Sequence, residues 1–358
     1  MSIILCKLID EFSKFNTFLF CLHKNFYTLT IFNGRRIFNK MIKKVMSLIS
    51  IFLAISVITF FLVKLSPGDP AENYLRASHV SITAETLSET RKNLGLNKPL
   101  YVQYFSWLGN LARGDFGTSY TKKTPVIDLV AEAFVPTFQL GIFSFIILIV
   151  VPPFLGILSA IKQNTVSDYI IQLFSYICVS IPTFWLGYIL IIFFSVSLRI
   201  LPVSGRGDWK NLVLPCITLV TPLIAQTTFF IRKNILEGME SSHVENAIIR
   251  GVSKKNVIIN HLLKNTAIPI ITVLSSNIMY LLTGSVIIEE IFAWPGIGKL
   301  FATAVRTGDF PLIQILLLFF GIMSIVVNEV TQILVKFMDP RLKIKEKMKK
   351  EAKHGGVA

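Results

Sequence analysis

The side chains that most often do chemistry are sparse in this sequence, and they fit no catalytic or metal-binding pattern. The four cysteines (Cys6, Cys21, Cys178 and Cys216) have neither metal-site nor disulfide-framework spacing, so we interpret them as packing residues. The Gly-Ile-Gly-Lys string at 296–299 lacks the upstream glycine and the hydroxyl residue of a nucleotide-binding P-loop. The sequence therefore predicts no catalytic residue, no cofactor site and no metal site in this chain.

The polar stretch at 232–267 carries the signals of two short helices separated by a glycine. Ser242 and Glu245 have the spacing of a capping box. In this motif each of the two side chains accepts a hydrogen bond from the backbone amide of the other residue. Gly251 stands where a helix ends in the left-handed conformation. One face of the first helix is shared by Val244, Ala247 and Ile248. On its own, this pattern is typical of an amphipathic helix on a lipid surface.

The residues of the 232–267 stretch must be positioned by membrane helices, because long uncharged runs alternate with basic clusters along the chain. The 358-residue chain is 53% hydrophobic and 16% charged, and its mean hydropathy is +0.62. A membrane span needs about 20 mostly apolar residues. Six such runs are Val45–Leu65, Thr137–Ala160, Tyr169–Leu198, Leu212–Ile231, Ile268–Ile288 and Pro311–Val335. We predict an all-α polytopic membrane protein with six transmembrane helices, and we expect the overlong third run to tilt or to end in the interface.

The distribution of lysine and arginine sets the predicted orientation. With the N-terminus inside, the four inner segments carry 23 of these residues and the two short outer loops carry 5. Cytoplasmic loops are enriched in positive charge, so both termini are predicted to be cytoplasmic. The net charge of +15 then reflects contact with the inner membrane surface rather than with nucleic acid.

The chain divides into three parts. Residues 1–40 contain no complete span, and we expect them to be an extension that is not part of the fold. Residues 41–340 form the six-helix domain, and 341–358 form a basic cytoplasmic tail.

The segment at 66–136, between the first two spans, is predicted to be a small folded external cap. Thr83 begins a helix that should stop near Gly95, and Pro99 begins a second helix. The stretch from Gly114 to Gly117 is typical of a turn. The cap is either a lid that shields the helices or a docking surface for an external partner.

Several motifs resemble the permeases of ATP-binding-cassette (ABC) importers. The stretch at 245–251 (Glu-Asn-Ala-Ile-Ile-Arg-Gly) resembles their E-A-A-x-x-x-G motif, with Asn246 at the second position. Other segments resemble the dipeptide, oligopeptide and nickel branch of that family, in register with the six spans. They are Ser66–Pro70, Leu94–Leu96, Pro99–Tyr104, Gly114–Tyr120, Pro182–Leu186, Ile291–Gly298 and Asp339–Arg341.

This resemblance implies that the 232–267 loop holds the helix that couples the permease to an ATPase subunit. The implied coupling residues are Ser242, Val244, Glu245, Ala247, Ile248 and Gly251. The implied partners are a second permease subunit, two ATPase subunits that bind ATP and magnesium, and an external solute-binding protein. The stretches Gly68–Ala71 and Tyr74–Arg76, and the one up to Tyr104–Leu108, look most like the nickel permease, so nickel, as ion or chelate, is the first substrate expected. Dipeptide or oligopeptide import is the alternative.

Polar and small residues on the predicted spans are candidates for lining the passage, since they are costly against lipid. The candidates are Gln226, Asn277, Tyr280 and Gly284. The alternative is that they pack helices together through hydrogen bonds and close contacts. An embedded enzyme lacks the paired titratable residues it needs, and an ion-driven transporter lacks an evident repeat. A membrane receptor or scaffold without transport stays open.

Overall fold

The protein is mostly helical in the part of the chain that the structure describes. This computed structural model describes residues 35–65, 68–241, 263–283 and 285–338, together with residues 244, 246 and 249–252. No β-strand occurs within these ranges. The helices are α1 (Arg35–Leu65), α2 (Pro70–Ala77), α3 (Ala84–Asn93), α4 (Leu100–Ala112), α5 (Val126–Ile161), α6 (Val166–Ser180), α7 (Thr183–Leu190, continued by a π-helix at Ile191–Ser197), α8 (Lys210–Met239), α9 (Leu263–Thr283), α10 (Ser285–Ile291), α11 (Ile297–Thr307) and α12 (Phe310–Met338).

Four of these helices are long and apolar enough to cross a membrane by themselves. They are α1 from Val45, α5, α8, and α12 as far as Val335. Two bent pairs, α6 with α7 and α9 with α10, meet the same criterion only when each pair is taken together. With each pair counted as one span, the described residues hold the six spans predicted from the sequence. The predicted fold class, an all-α polytopic membrane protein, is confirmed.

The third predicted span differs from the expectation of one tilted helix. It is two helices that meet at 102°, and Ile181 at the junction is extended (φ −83°, ψ 123°). The ring of Pro182 clashes with a helical conformation of the preceding residue, so the extended geometry at Ile181 is what its sequence position requires. Pro152, Pro153, Pro215 and Pro222 lie inside α5 and α8 without ending them.

The second span begins earlier than the sequence indicated. Helix α5 starts at Val126, directly after Pro125, and continues for 36 residues through Pro136. Residues 126–136, which were expected to belong to the external segment, are therefore part of the same helix as the span. The N-terminal end also differs, since α1 begins at Arg35 rather than near Met41.

Two compact units make up the chain. One contains α1–α4 and α12 as far as Ile325; the other contains α5–α11 and α12 from Val326 onward. In the first unit the predicted cap helices are confirmed. Thr83 caps α3 by accepting a hydrogen bond from the Thr86 amide, and Gly95 beyond its end has φ +68°.

A buried carboxylate holds the end of the cap segment to the start of α12. Asp309 accepts hydrogen bonds from the Ser119 hydroxyl (2.6 Å), the Thr121 hydroxyl (2.8 Å) and the Thr121 amide (3.1 Å). The adjacent Tyr120 ring packs edge-on against Tyr74. Burial raises the pKa of the Tyr120 phenol, and the negative charge of Asp309 raises it further.

Helix α4 does not stand clear of the membrane helices as a separate cap. It packs along α1, where the hydroxyl groups of Tyr104 and Ser56 are 2.8 Å apart. Trp107 and Leu111 pack against a cluster formed by Ile51, Ile55 and Leu318. The 66–136 segment is therefore in direct contact with the first predicted span.

In the second unit, α8 is the central helix. It packs most extensively against α5 and also contacts α6, α7 and α9. The close approach of α5 and α8 requires glycine at Gly156, because a Cβ there would lie 2.8 Å from Ile231. Leu214, Leu219 and Leu223 of α8 are buried in the main apolar cluster of this unit. Contacts with α8 therefore position α5, α6, α7 and α9.

Candidate coupling and passage sites

The predicted coupling segment follows directly from the central helix. Val244 and Gly251 lie within the described residues, whereas Ser242, Glu245, Ala247 and Ile248 lie outside them. The chain leaves α8 through a turn in which the Val244 amide donates to the Ser241 carbonyl (2.9 Å). The segment is therefore joined to α8 without a long connector.

Val244 anchors this segment in the permease itself. Its exposed fraction is 0%, and it belongs to an apolar cluster with Ala160 at the end of α5 and with Ile231 and Ile235 of α8. The sequence placed Val244 on the face that meets a partner. In the structure its side chain faces the helix bundle instead, so Val244 holds the segment in place rather than offering a surface.

The other described residues of the segment face outward or shape the backbone. Ile249 is 76% exposed. Gly251 has φ +86°, and a Cβ there would meet nothing within 4 Å. Glycine is therefore favoured at this position by the left-handed backbone conformation and not by lack of space. The left-handed backbone conformation predicted for Gly251 is confirmed. The role of Gly251 in coupling stays a prediction.

A buried ion pair lies where the end of α5, the start of α6 and the last part of α8 meet. Sequence reasoning missed this pair. Arg232 of α8 donates two hydrogen bonds to the Asp168 carboxylate of α6, at 2.9 and 2.8 Å. The same carboxylate accepts a hydrogen bond from the Ser159 hydroxyl of α5 and one from the Asn164 amide (3.0 Å). Asp168 has an exposed fraction of 0%. Three helices are thus joined through one carboxylate.

One signal could have pointed to this pair. Asp168 and Arg232 lie at the borders of predicted spans, in two predicted inner segments that follow one another along the chain. A charge buried at a membrane border needs a partner of opposite sign. The sequence alone does not show, however, that the two borders adjoin.

The passage candidates separate into buried and exposed residues. Asn277 is buried and donates a hydrogen bond to the Thr227 hydroxyl (3.0 Å), which joins α9 to α8. Tyr280, by contrast, is 39% exposed, and Gln226 is exposed. Gly284 lies outside the described residues. Asn277 and Tyr280 therefore do not share one open face as their spacing suggested.

An exposed polar stripe runs along α9. Thr272, Ser276 and Tyr280 recur every four residues, and all three side chains are exposed. The exposed side chains along the middle of α5 are by contrast apolar, among them Ile142, Ile146, Ile149 and Phe154. Because hydroxyl groups gain nothing from lipid tails, the stripe marks a surface of α9 that differs in kind from the exposed apolar surface of α5.

A third buried carboxylate holds the loop between α10 and α11. Glu289 accepts hydrogen bonds from the Thr137 hydroxyl (2.7 Å) and from the amides of Gly298 (2.7 Å) and Lys299 (3.1 Å). Trp294, 1% exposed, donates from its ring nitrogen to the Pro136 carbonyl (2.9 Å). Sequence reasoning singled out the 291–298 stretch as a motif but missed Glu289, which comes directly after the predicted end of the fifth span.

Comparison with known proteins identifies the family. A family model described as "Binding-protein-dependent transport system inner membrane component" matches residues 153–344. A second model, for the N-terminal part of such membrane components, matches residues 37–141. The chain belongs to this family of transport permeases. The sequence-based resemblance to ABC-importer permeases is confirmed, and the chain is a permease subunit in the inner membrane.

Two similar curated proteins support this placement, and one solved structure shares the fold. The glutathione transport system permease proteins GsiC of Escherichia coli (strain K12) and of Shigella dysenteriae serotype 1 (strain Sd197) are each 33% identical over 307 residues. Each match covers 86% of this chain and 99% of the relative. An inward-facing structure of the MetNI methionine ABC transporter has a TM-score of 0.51 at 14% identity, and covers 60% of this chain and 97% of the other. At that identity it shows the fold alone.

We predict that breaking the Asp168–Arg232 ion pair destabilises the second unit far more than breaking a surface pair does. Asp168→Asn removes the charge that compensates Arg232, and breaking one side of a buried pair costs roughly 3–5 kcal/mol. The midpoint of thermal unfolding of the purified transport complex should fall accordingly.

Lys233→Gln is the matched control for this measurement. Lys233 follows Arg232 directly and pairs with Glu237 at 3.6 Å, but both side chains are largely exposed (73% and 63%). Such surface pairs contribute about 0–1 kcal/mol. Equal unfolding midpoints for Asp168→Asn and Lys233→Gln would contradict the prediction.

Proposed function

We propose that this chain is one permease subunit of an ABC importer that carries short peptides of the glutathione kind. The observation that carries this proposal is the 33% identity to the GsiC permeases along 99% of their length. The permease works by alternating access, in which packed helices rock between inward-open and outward-open states.

Nickel was the first substrate expected from the sequence, and peptides were the alternative. The expectation of nickel rested on the stretches at 68–71 and 74–76 and on the one up to 104–108, and the GsiC relatives give it no support. The function named for those relatives, glutathione transport, favours the peptide alternative. Peptide import is therefore the function we put forward, and nickel import stays a prediction without further support.

The proposed complex contains a second permease subunit, two ATPase subunits and an external solute-binding protein. The description of the family, a binding-protein-dependent transport system, supports an external binding protein as the source of the substrate. ATP and magnesium would bind the ATPase subunits, since this chain carries no P-loop sequence. In the proposed topology both termini and the 232–267 loop lie in the cytoplasm.

Coupling to the ATPase is assigned to the segment from Ser242 to Gly251. Glu245, Ala247 and Ile248 would face the ATPase groove with the exposed Ile249. Val244, buried between α5 and α8, would pass the displacement to the bundle. The ion pair between Asp168 and Arg232 would carry it on to α6, since one carboxylate binds all three helices.

The passage is assigned to the polar stripe of α9 and to Gln226 of α8. An exposed polar face is unfavourable against lipid tails, so these residues are expected to face an aqueous path or the second permease subunit. Asn277 would hold the stripe in position by its hydrogen bond to Thr227. Gly284 continues the sequence of α9 towards α10 and stays a candidate for the same surface.

The substrate prediction is tested by uptake into cells that depend on this importer. Deleting the gene for this chain should abolish uptake of labelled glutathione or of labelled dipeptides, and should leave labelled nickel uptake unchanged. Restoring the chain should restore peptide uptake. Loss of nickel uptake with peptide uptake intact would contradict the proposal and favour the nickel alternative.

The coupling assignment predicts that Gly251→Asp severely reduces uptake while the protein still inserts at normal levels. A side chain on a residue in the left-handed conformation costs about 1–2 kcal/mol of conformational free energy. This cost is too small to unfold the helix bundle, but it distorts the segment that is proposed to contact the ATPase. Transport and the amount of ATPase subunit that co-purifies with the permease are measured together.

Gly205→Asp is the control for backbone strain. Gly205 has φ +87°, and a Cβ at this position, as at Gly251, would meet nothing within 4 Å. Gly205 lies between α7 and α8, at the opposite end of α8 from the coupling segment. If both variants transport equally well, strain at Gly251 has no special consequence, and the coupling assignment is wrong.

A further inference from the structure

Helix α4 lies beside the hydrophobic part of the first span rather than beyond its end. Lys64, one residue from the end of α1, donates a hydrogen bond to the Gln103 side chain (2.6 Å). Further along, the Tyr104 hydroxyl reaches Ser56. Residues 56 and 64 are about 12 Å apart along a helix that rises 1.5 Å per residue. Both lie in the stretch Val45–Leu65, which is apolar enough to cross a membrane.

Aromatic rings fill the contact between the two helices. The Phe60 ring of α1 lies 5.5 Å from the Tyr104 ring and 6.1 Å from the Trp107 ring. Lys64 is 5.7 Å from the centre of the same Phe60 ring. Tyrosine and tryptophan are enriched where a membrane meets water, and lysine at a span end reaches outward to that boundary. The contact therefore has the composition of a membrane–water boundary.

The sides of α4 that face away from α1 differ from each other. One side is apolar: Tyr101 and Phe105 are 66% and 65% exposed, and Leu108 and Ala112 continue the same stripe at helical spacing. The other side is polar, with Ser106, Asn110 and Arg113 exposed. A helix with one large apolar face and one polar face is typical of a helix that lies in the membrane interface.

We propose that α4 is an interfacial helix whose Tyr101–Phe105 face is covered by lipid. The leaflet is the one at the Leu65 end of the first span, which is the outer leaflet in the proposed topology. Phe61, Leu62 and Leu65 of α1 are exposed apolar side chains in the same stretch of α1 that α4 contacts. The apolar face of α4 extends this lipid-facing surface, while Ser106 and Asn110 face water and headgroups.

This placement adds a third role to the two considered for the 66–136 segment. Helix α3 carries exposed acidic side chains at Glu85 and Glu89, which favour contact with water. Helix α4, by contrast, anchors the base of the segment in the membrane surface. The position of α4 in the membrane does not depend on which substrate is carried.

Spin-label accessibility in the reconstituted complex tests the proposal. Single cysteines at Tyr101, Phe105, Glu89, Asn110 and Phe154 are introduced in a chain whose four native cysteines are replaced, and each is spin-labelled. Oxygen concentrates in lipid, and a chromium oxalate complex stays in water, so the relaxation that each causes distinguishes the two environments.

The labels at 101 and 105 should respond strongly to oxygen and weakly to chromium oxalate, as is expected for the label at 154 on the exposed apolar side of α5. The labels at 89 and 110 should respond to chromium oxalate at least several times more strongly than the label at 105. A label at 105 that resembles the one at 89 would place this face in water. A label at 105 that responds to neither reagent would show that another protein covers this face of α4. Either result overturns the proposal.

Discussion

A carboxylate buried where the ends of α5, α6 and α8 meet is the interaction on which the packing of the second unit depends. Asp168 has no exposed surface, and removing such a charge from water is costly unless it is fully compensated. Arg232 supplies the opposite charge, and Ser159 and the Asn164 amide supply the remaining hydrogen bonds. The geometry is satisfied only when the ends of α5, α6 and α8 keep their relative positions. The ion pair therefore makes these three ends one mechanical unit, and Val244 attaches the coupling segment to that unit through the adjacent apolar cluster.

Buried polar groups elsewhere in the second unit act in the same way. Asn277 and Thr227 join α9 to α8, and Glu289 joins the α10–α11 loop to Thr137 of α5. In an apolar bundle the surrounding contacts are weakly directional, whereas each of these hydrogen bonds specifies one register between two elements. The polar stripe of α9 is different, since its side chains are exposed. The distinction separates residues that hold the helices together from residues that are available to line a passage.

The sequence was sufficient for the fold class, for the number of spans when each bent pair counts as one, and for local features with local causes. Thr83, Gly95 and Gly251 are examples, because capping and left-handed backbone depend on neighbouring residues only. Features that depend on which helices adjoin were not predictable. The Asp168–Arg232 and Glu289–Thr137 contacts join residues far apart in the chain, and the burial of Val244 follows from the position of α8 against α5. The break at Ile181 was visible as Pro182, but Pro152 and Pro215 stand inside unbroken helices, so proline alone does not decide the outcome.

The central claim is that the proposed coupling segment and the ends of α5, α6 and α8 that the ion pair joins move as one body during transport. Spin labels at two exposed positions, Ile249 in the segment and Gln163 in the α5–α6 loop, allow their separation to be measured by pulsed electron resonance. The reconstituted complex is compared without nucleotide and with ATP trapped, and a label pair between Ile249 and the second permease subunit verifies that the complex has changed state. The account predicts that the Ile249–Gln163 distance changes by less than about 2 Å, the size of a shift between packed helices. A change of about 5 Å or more, one helical turn, would show that the segment moves independently and would contradict the account.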